Sequence, residues 1–295
     1  MEIPKISFLE NCTSFTLIDE GFSNDEKWCV DNTYLLRISP NADIIKLRQQ
    51  AELTNAVNAI DSHIPYAHEV GTFNGKSFVI LDYIKGKDGT SLLPSLSEVA
   101  QYRIGQQVGQ TLKRMHSIPA SPEYPIWEDR WKQRVEVHSK KFEKIALTHE
   151  RYEKVLPFIN KHLYLLKDRP SCIQHYDFHP GNILIHENNF TGLIDMQKIT
   201  YGDPINEFYK MEYFNVPISR TYSCGVFDGY HDNKPIPNEF WELHRLYAAM
   251  HIMAAEVYGV EFALNQREKF QQFTRFTLDQ FDDFAVLIPK WYEQK

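Results

Sequence analysis

The chain has 295 residues, more than a single domain usually holds, and this length predicts two lobes around a cleft. Hydrophobic residues make up 43% and charged residues 24% of the sequence, an ordinary balance for a soluble globular protein. The net charge of −7, with no basic stripe to offset it, argues against a nucleic-acid binder. No apolar run approaches the roughly 18 residues of a membrane-spanning helix, and there is no signal-peptide pattern, so neither a membrane nor a secreted protein is expected. Four cysteines without C-x-x-C spacing favour a reduced, cytoplasmic setting.

The first third of the chain has the alternating pattern of antiparallel strands. Strands are expected at residues 14–19, 27–30, 33–39, 67–73 and 77–83, and a helix is expected at residues 43–60. The turn pairs Asp31-Asn32 and Asn74-Gly75 separate consecutive strands, as in two-residue hairpins. We therefore predict a small five-stranded antiparallel sheet with one helix in residues 1–84.

From residue 85 onward the chain is predicted to be mainly helical. Apolar residues recur at helical spacing in residues 96–116, 127–145, 151–166, 208–214, 240–258 and 267–284. The first of these segments ends at Ser117-Ile118-Pro119, a helix stop signal. The expected class is therefore α+β, with an N-lobe of residues 1–84 and a larger helical C-lobe of residues 85–295.

The most informative motif is the stretch H-Y-D-F-H-P-G-N-I-L-I of residues 175–185, which is followed by L-I-D at residues 193–195. Apolar runs at residues 183–185 and 192–194 predict two short strands joined by a loop over residues 186–190. Because a hairpin brings its two ends together, we expect Asp177, Asn182 and Asp195 to lie around one small volume.

These residue types suit phosphoryl transfer, which needs positioning, charge neutralisation by Mg²⁺ and a group that accepts the proton of the attacking hydroxyl. Mg²⁺ prefers hard oxygen ligands. We assign Asp177 as the catalytic base, and Asn182 and Asp195 as ligands of Mg²⁺. The spacing D-x-x-x-x-N is that of protein-kinase catalytic loops. The alternatives are a zinc site built on the nearby histidines, for which H-E-x-x-H and Cys/His pairs are missing, and a purely turn-forming role.

The pattern H-x-D-x-H-P-G-N-I-L followed by I-D resembles the aminoglycoside phosphotransferase family and its small-molecule-kinase relatives. The resemblance implies a bilobal protein-kinase-like fold. The chain departs from the family pattern at Tyr176, where glycine is usual, and at Met196, where tryptophan is frequent. By the same resemblance His175 ties the catalytic loop to its surroundings, and Asp203 of the G-D-P at residues 202–204 anchors the catalytic segment. Residues 195–203 are too few for a long activation loop, so protein-kinase activity is not expected.

The resemblance also implies a nucleotide site in the N-lobe. Ser23, in the loop of residues 20–24, is expected to lie over the phosphates. Arg37 stands on the third strand, where the family more often has a lysine that pairs with the phosphates, and Glu52 on the next helix is expected as its partner. Backbone groups near Asp82 to Ile84, at the expected interlobe hinge, would bind the purine of ATP or GTP.

The acceptor site is expected between residues 203 and 261, which carry nine Asp or Glu against four Lys or Arg. Such an excess attracts a cationic ligand, and the aromatic residues of this span would suit a quaternary amine. Glu207 and Asp228 are the expected acceptor contacts. The alternative is that most of these acids face water and most of the aromatics form the core.

We therefore predict a cytoplasmic, Mg²⁺-dependent kinase that uses ATP or GTP to phosphorylate a hydroxyl of a small cationic molecule, with no nucleic-acid or membrane partner. An aminoglycoside-type antibiotic is the first acceptor that the resemblance suggests, and it would connect the chain with antibiotic resistance. The alternatives are a metabolic kinase of choline, an amino alcohol or a sugar, and a non-catalytic nucleotide-binding regulator. Loss of the third-strand lysine would support the regulator, and retention of Asp177, Asn182 and Asp195 argues against it.

Overall fold

The computed structural model describes residues 5–19, 25–146 and 150–294 of the chain. Contacts between residues group the chain into two compact units. The N-terminal unit comprises residues 1–92, 175–177 and 181–200, and the C-terminal unit comprises residues 93–174, 178–180 and 201–295. The predicted catalytic motif therefore belongs, apart from residues 178–180, to the N-terminal unit.

Short strands predominate in the first third of the chain, and helices predominate in the rest. The strands are β1 (Phe15–Leu17), β2 (Glu26–Val30), β3 (Tyr34–Ser39), β4 (Ala67–Phe73), β5 (Lys76–Asp82), β6 (Lys87–Asp88), β7 (Cys172–Gln174), β8 (Ile183–His186), β9 (Asn189–Leu193) and β10 (Thr200–Gly202). The α-helices are α1 (Ile44–Asn58), α2 (Gly89–Leu92), α3 (Glu98–Met115), α4 (Trp127–Ala146), α5 (Val155–His162), α6 (Arg220–Tyr230), α7 (Asn238–Glu261), α8 (Arg267–Gln280) and α9 (Lys290–Glu293). Single 3-10 turns lie at Ser7–Leu9, Leu93–Ser95, Glu150–Lys154, Leu163–Leu166, Pro180–Asn182, Met196–Lys198, Pro204–Lys210 and Leu264–Gln266, and Met211–Asn215 is a π-helical turn. Across the described ranges, no helix is both long and apolar enough to cross a membrane.

The N-terminal unit is built on an antiparallel sheet with the strand order β1-β2-β3-β5-β4, which confirms the five predicted strands. The two turn residues at 31–32 both have positive φ, 49° and 52°, as a tight hairpin between β2 and β3 requires. One face of the sheet buries Trp28, Leu36 and Ile80 in a single apolar cluster. On the other face, Val79 packs against Leu47 of α1. The alternation of the strands thus supplies two buried faces.

Strands β8 and β9 form the predicted hairpin, and β6 adds a third antiparallel strand beside β8. The connection is shorter than predicted, because His186 already pairs with Asn189. The turn consists of Glu187 and Asn188, whose φ values of 49° and 60° give a two-residue hairpin turn. The amide of Leu193 in β9 donates to the carbonyl of His63 at 2.9 Å. The hairpin is therefore hydrogen-bonded to the rest of the N-terminal unit.

The sequence pattern does not predict helix α6, which packs along α3 in the C-terminal unit. Gly225 and Gly229 within it resemble turn residues when only the sequence is considered. In the structure they allow two backbones to approach closely. A Cβ at Gly229 would lie 2.2 Å from the carbonyl oxygen of Gln106, and a Cβ at Gly109 would lie 2.1 Å from that of Val226. Since no side chain fits at such distances, these glycines mark helix contact and not a loop.

Two segments predicted as α-helices have other helical forms. Residues 151–166 contain only the short helix α5 between two 3-10 turns. Pro157 lies in the first turn of α5, where its missing N–H costs no hydrogen bond, so a regular helix does not extend further back. Residues 208–214 divide between a 3-10 helix and the π-helical turn. This wider turn carries adjacent Glu212 and Tyr213, and both reach buried polar partners.

Candidate active site

The backbone around Asp177 is held by a buried histidine. The amide of Asp177 donates to Nδ1 of His175 at 3.2 Å, so the proton of the neutral imidazole is on Nε2. Nε2 lies 2.7 Å from the carbonyl oxygen of Ile194 and donates to it. His175 is fully buried. It thus connects the segment of Asp177 to the end of strand β9, which is the tying role implied by the resemblance.

Tyr176 adopts a left-handed backbone conformation with φ of 65°. A residue with a Cβ pays roughly 1–2 kcal/mol for this conformation, whereas glycine does not. This geometry gives a physical reason for the glycine that is usual at this position, and the tyrosine here retains the turn at an energetic cost. Asp177 therefore follows a strained residue, as functional side chains often do.

Asn182 is oriented by Asp177. Its Nδ2 donates to the backbone carbonyl of Asp177 at 2.9 Å, and its own carbonyl accepts from the amide of Ile194 at 2.8 Å. Because a carbonyl oxygen can only accept, the side-chain atom that faces it must be the nitrogen. The amide oxygen of Asn182 is therefore turned away from this bond, and it is a hard oxygen of the kind that Mg²⁺ prefers.

Asp195 follows β9 and also has a left-handed backbone, with φ of 64°. Its side chain is 43% exposed, and its Oδ1 lies 3.6 Å from the guanidinium of Arg37. An accessible carboxylate and an oriented amide oxygen on one hairpin are the donors that Mg²⁺ uses beside phosphates. The residues present thus fit a magnesium ion, with Asn182 and Asp195 as the groups that would hold it.

Lys198 is a site residue that the sequence analysis missed. Its Nζ lies 2.9 Å from Oδ2 of Asp177, although Lys198 itself is largely exposed. The 3-10 turn Met196–Lys198 directly after Asp195 turns the chain back toward Asp177. A lysine three residues after an aspartate is no motif by itself, so only the turn reveals this pair. Lys198 is thus the cation paired with the proposed base.

Arg37 of β3 is buried and lies between two carboxylates. Its guanidinium is 3.5 Å from Asp25 through Nε and 3.6 Å from Asp195 through an Nη nitrogen. Burial lowers the pKa of Arg37, and the charges of Asp195 and Asp25 oppose that shift. Glu52, the expected partner, is exposed. Within the described residues, the structure brings Arg37 to these two aspartates and not to Glu52.

Helix geometry explains why Glu52 lies elsewhere. Leu47, Thr54 and Val57 are the buried residues of α1, and Gln50 lines the same cavity as Arg37. Glu52 is two residues from Gln50, about 200° around the helix, and therefore lies on the opposite side. The repeat of apolar residues in this helix is too weak for the sequence alone to show which face is inward.

The remaining nucleotide residues lie at the end of β5 and in the loop before β2. Asp82 binds the ring of His68 at 2.8 Å and the amide of Tyr66 at 2.9 Å through its carboxylate. The amides of Asp82 and Tyr83 donate to carbonyls of Tyr66 and Thr33. Among the described residues, the amide of Ile84 makes no such bond. Ser23 lies outside the described residues.

The expected acceptor contacts already have protein partners within the C-terminal unit. Glu207 is almost fully buried, with Oε2 3.5 Å from Nε2 of His116. Asp228 is also buried and accepts hydrogen bonds from the hydroxyls of Tyr102, at 2.6 Å, and Tyr292. These two carboxylates therefore hold the interior of the unit together in this structure.

Asp203 has the anchoring role implied by the resemblance. It is completely buried, accepts from Nε of Arg169 at 2.6 Å and from the hydroxyl of Tyr247 at 2.8 Å, and caps the following helical turn through the amide of Ile205. The side-chain amide of Gln174 donates to its carbonyl. Gln174 directly precedes the catalytic segment, so Asp203 fixes the chain at the point where that segment begins.

Comparisons with known proteins bear on the family and the fold of the chain. A model of the Phosphotransferase enzyme family (APH) matches residues 14–248. Among solved structures, the ADP-bound aminoglycoside phosphotransferase APH(2'')-Ib matches with a TM-score of 0.61 and 19% identity over 91% of this chain and 94% of its own. The aminoglycoside phosphotransferase from Alicyclobacillus acidocaldarius matches with a TM-score of 0.66 and 13% identity over 100% and 97% of the two chains. A search of curated protein sequences finds no significant match.

The structural matches show an α+β fold of the bilobal kinase-like architecture, as predicted. The family match spans far more than half of the chain, and the chain belongs to the Phosphotransferase enzyme family. It is a small-molecule phosphotransferase that transfers a phosphoryl group to an alcohol.

Proposed function

We propose that the chain is a Mg²⁺-dependent kinase that transfers the terminal phosphoryl group of ATP or GTP to a hydroxyl of a small cationic molecule, with an aminoglycoside-type antibiotic as the first acceptor. The observation that carries the proposal is the arrangement of Asp177, Asn182 and Asp195: Asn182 donates to the carbonyl of Asp177 and accepts from the amide of Ile194, the residue before Asp195. One hairpin holds a candidate base, an oriented amide oxygen and an accessible carboxylate. A merely structural hairpin has no need of this combination.

The chemistry assigns a separate task to each residue. The acceptor hydroxyl forms a new bond to the terminal phosphorus while the bond from that phosphorus to the leaving nucleoside diphosphate breaks, and the hydroxyl proton passes to the carboxylate of Asp177. Lys198 donates to the carboxylate of Asp177 and holds it in position. Asn182 and Asp195 would hold Mg²⁺, which would neutralise phosphate charge. Arg37 places a permanent positive charge beside the carboxylate of Asp195.

ATP is the first nucleotide to test. A streptomycin–ATP ternary complex of APH(2")-IIa matches this chain with a TM-score of 0.63 and 19% identity over 97% of this chain and 95% of its own. Purine recognition in the proposal rests on backbone groups near Asp82 to Ile84, and backbone groups discriminate poorly between adenine and guanine. GTP therefore belongs in the same experiment.

The support for an aminoglycoside acceptor comes from the family and from neighbours that bind streptomycin or gentamicin. The acidic excess of residues 203–261 supports it less than the sequence suggests. Five of the nine acids are buried, namely Asp203, Glu207, Glu212, Asp228 and Glu256. Buried carboxylates with protein partners do not attract a ligand as exposed carboxylates do.

The test is nucleoside diphosphate release in the presence and absence of Mg²⁺, with ATP or GTP and a panel of aminoglycosides, macrolides, choline, amino alcohols and sugars. Stimulation by aminoglycosides is the expected result. The Asp177→Asn variant should bind nucleotide but lose turnover, whereas Asp129→Asn, which changes an exposed aspartate of α4, should behave as the unaltered protein.

Other outcomes would replace the proposal in a defined way. Stimulation only by choline, an amino alcohol or a sugar would identify a metabolic kinase. Nucleotide binding without turnover with any acceptor would favour a regulator, and absence of nucleotide binding would contradict the kinase assignment of the site.

A further inference from the structure

Arg37 is a buried cation that depends on its counter-charges. Its side chain is only 9% exposed, and an unpaired charge in such a position is strongly unfavourable. Asp25 and Asp195 both lie within 4 Å of it. Two roles therefore fall to these carboxylates: one is to neutralise Arg37, and the other is to bind a cation at the site.

The two carboxylates differ in exposure. The side chain of Asp25 is 12% exposed, against 43% for Asp195. A carboxylate that binds a cation from solution has to be reachable, which suits Asp195. A carboxylate that only fixes a neighbouring side chain is better shielded, because the pair is then weakened less by water and salt. The difference assigns Asp25 to Arg37.

A chain of side-chain hydrogen bonds holds Asp25 in place. Nε2 of Gln197 donates to Oδ2 of Asp25 at 2.7 Å, and the side chain of Gln50 donates to the backbone carbonyl of Gln197. Gln197 stands two residues after Asp195 in the same 3-10 turn. Asp25 is thus tied both to helix α1 and to the segment that carries the proposed metal ligand.

A cavity of about 450 Å³ lies beside this network and is lined by Asp25, Arg37, Ser39, Lys46, Gln50 and Gln197, among others. Helix α1 presents Lys46, Leu47 and Gln50 to this cavity, and its N-cap residue Asp43 also lines it. The carboxylate of Asp43 accepts from the amide of Ile45 and so caps the helix. Among the described residues, the carboxylates within 4 Å of Arg37 are Asp25 and Asp195, and neither belongs to the helix.

We propose that Asp25 is a positioning residue for the nucleotide site: it holds the guanidinium of Arg37 in place for the phosphates, so that Asp195 remains free to serve as a metal ligand. This inference rests on the proposed function. It places the counter-charge of Arg37 on the residue directly before β2, with Gln197 as the link to the turn that follows Asp195.

The first experiment measures the dissociation constant of Mg²⁺-ATP and the KM and kcat for ATP in the Asp25→Asn variant. Loss of the carboxylate should weaken nucleotide binding and raise KM about tenfold, with a smaller change in kcat. The control Glu52→Gln removes a helix carboxylate on the outer face and should leave both constants unchanged. Thermal unfolding of each variant checks that the fold is retained.

A second pair of variants separates positioning from a general structural role. Gln50→Glu in the Asp25→Asn background returns a carboxylate to the same cavity from α1, and it should recover most of the lost affinity. Arg37→Met should make the further change Asp25→Asn nearly silent, because the two residues act through one interaction.

The outcomes are distinguishable from those of the proposed function. If the unaltered protein binds no Mg²⁺-nucleotide, the kinase proposal and this inference both fail. If it binds nucleotide and Asp25→Asn binds equally well, or if the effects of Asp25→Asn and Arg37→Met simply add, the positioning role alone is overturned.

Discussion

Asp195, beside the β8–β9 hairpin of the N-terminal unit, and Asp203, in the C-terminal unit, have the same side chain but opposite surroundings. Asp203 is completely buried and accepts hydrogen bonds from an arginine, a tyrosine and a backbone amide. Asp195 is 43% exposed and has a single ion pair, at 3.6 Å, among its described contacts. A carboxylate whose bonds are all made inside the protein maintains the fold, whereas one that is reachable and incompletely bonded can bind a ligand. Exposure together with the number of bonds, and not acidity, separates the two groups.

The largest expected effect is at the proposed base. Asp177→Asn should lower turnover by about 10³-fold, because a general base contributes roughly 10²- to 10⁴-fold. Nucleotide affinity and the unfolding temperature should stay the same, since the hydrogen bonds around this residue that involve its backbone are preserved. Steady-state kinetics with the best acceptor measures the loss. Near-normal turnover would show that another group takes the proton.

At the buried Asp203 we expect a loss of stability, and not the loss of turnover expected at Asp177. Asp203→Asn should lower the free energy of unfolding by about 3 kcal/mol, because it removes the fully buried charge that pairs with the partly buried Arg169. Urea unfolding measures the change. The control is Asp232→Asn, an exposed carboxylate paired with Lys113, for which little change is expected. Equal stability of both variants would mean that burial does not distinguish these aspartates.

Lys198 tests whether an exposed partner can matter for catalysis. Lys198→Met should lower kcat roughly tenfold. Loss of a buried hydrogen-bond donor would lower it more, but the Lys198–Asp177 pair is partly screened by water. Lys140→Met removes an exposed, ion-paired lysine of α4 and should leave kcat unchanged. An unaltered kcat in Lys198→Met would show that its ion pair with Asp177 is only a surface contact.

The smallest effect concerns the strained residue before the base. Tyr176→Gly and Tyr176→Ala both remove the aromatic ring, but only glycine removes the penalty of the left-handed backbone. The glycine variant should therefore be more stable than the alanine variant by about 1 kcal/mol. Chemical unfolding of the two variants provides the value, and equal stabilities would contradict a strained turn at this position.

Features with a local cause were predictable. The alternation of apolar residues predicts the five strands, because the period of a strand is visible along the chain. Turn pairs such as Asp31-Asn32 predict hairpins because they tolerate positive φ. The hairpin that carries Asn182 and Asp195 follows from the same rules. The exact turn of this hairpin does not follow from the sequence. Glutamate rarely adopts positive φ, yet Glu187 has φ of 49°.

Features that depend on a neighbour from elsewhere in the chain were not predictable. Helix α6 contains glycines that are explained only by the backbone of α3. Glu207 and Asp228 belong to an acidic span, and only their contacts with His116, Tyr102 and Tyr292 show that they are interior groups. A charge count cannot separate buried acids from exposed ones.

The sequence by itself therefore determined the order of elements, a small sheet followed by helices. It also determined the candidate catalytic groups: a base, an amide and a carboxylate at the spacing that phosphoryl transfer needs. Only the tertiary structure decided the partners of these groups. It paired Arg37 with Asp25 instead of Glu52 and brought Lys198 to Asp177. The physical reason is that residue spacing determines local backbone shape, whereas the pairing of charges depends on which faces pack together and which remain open to water.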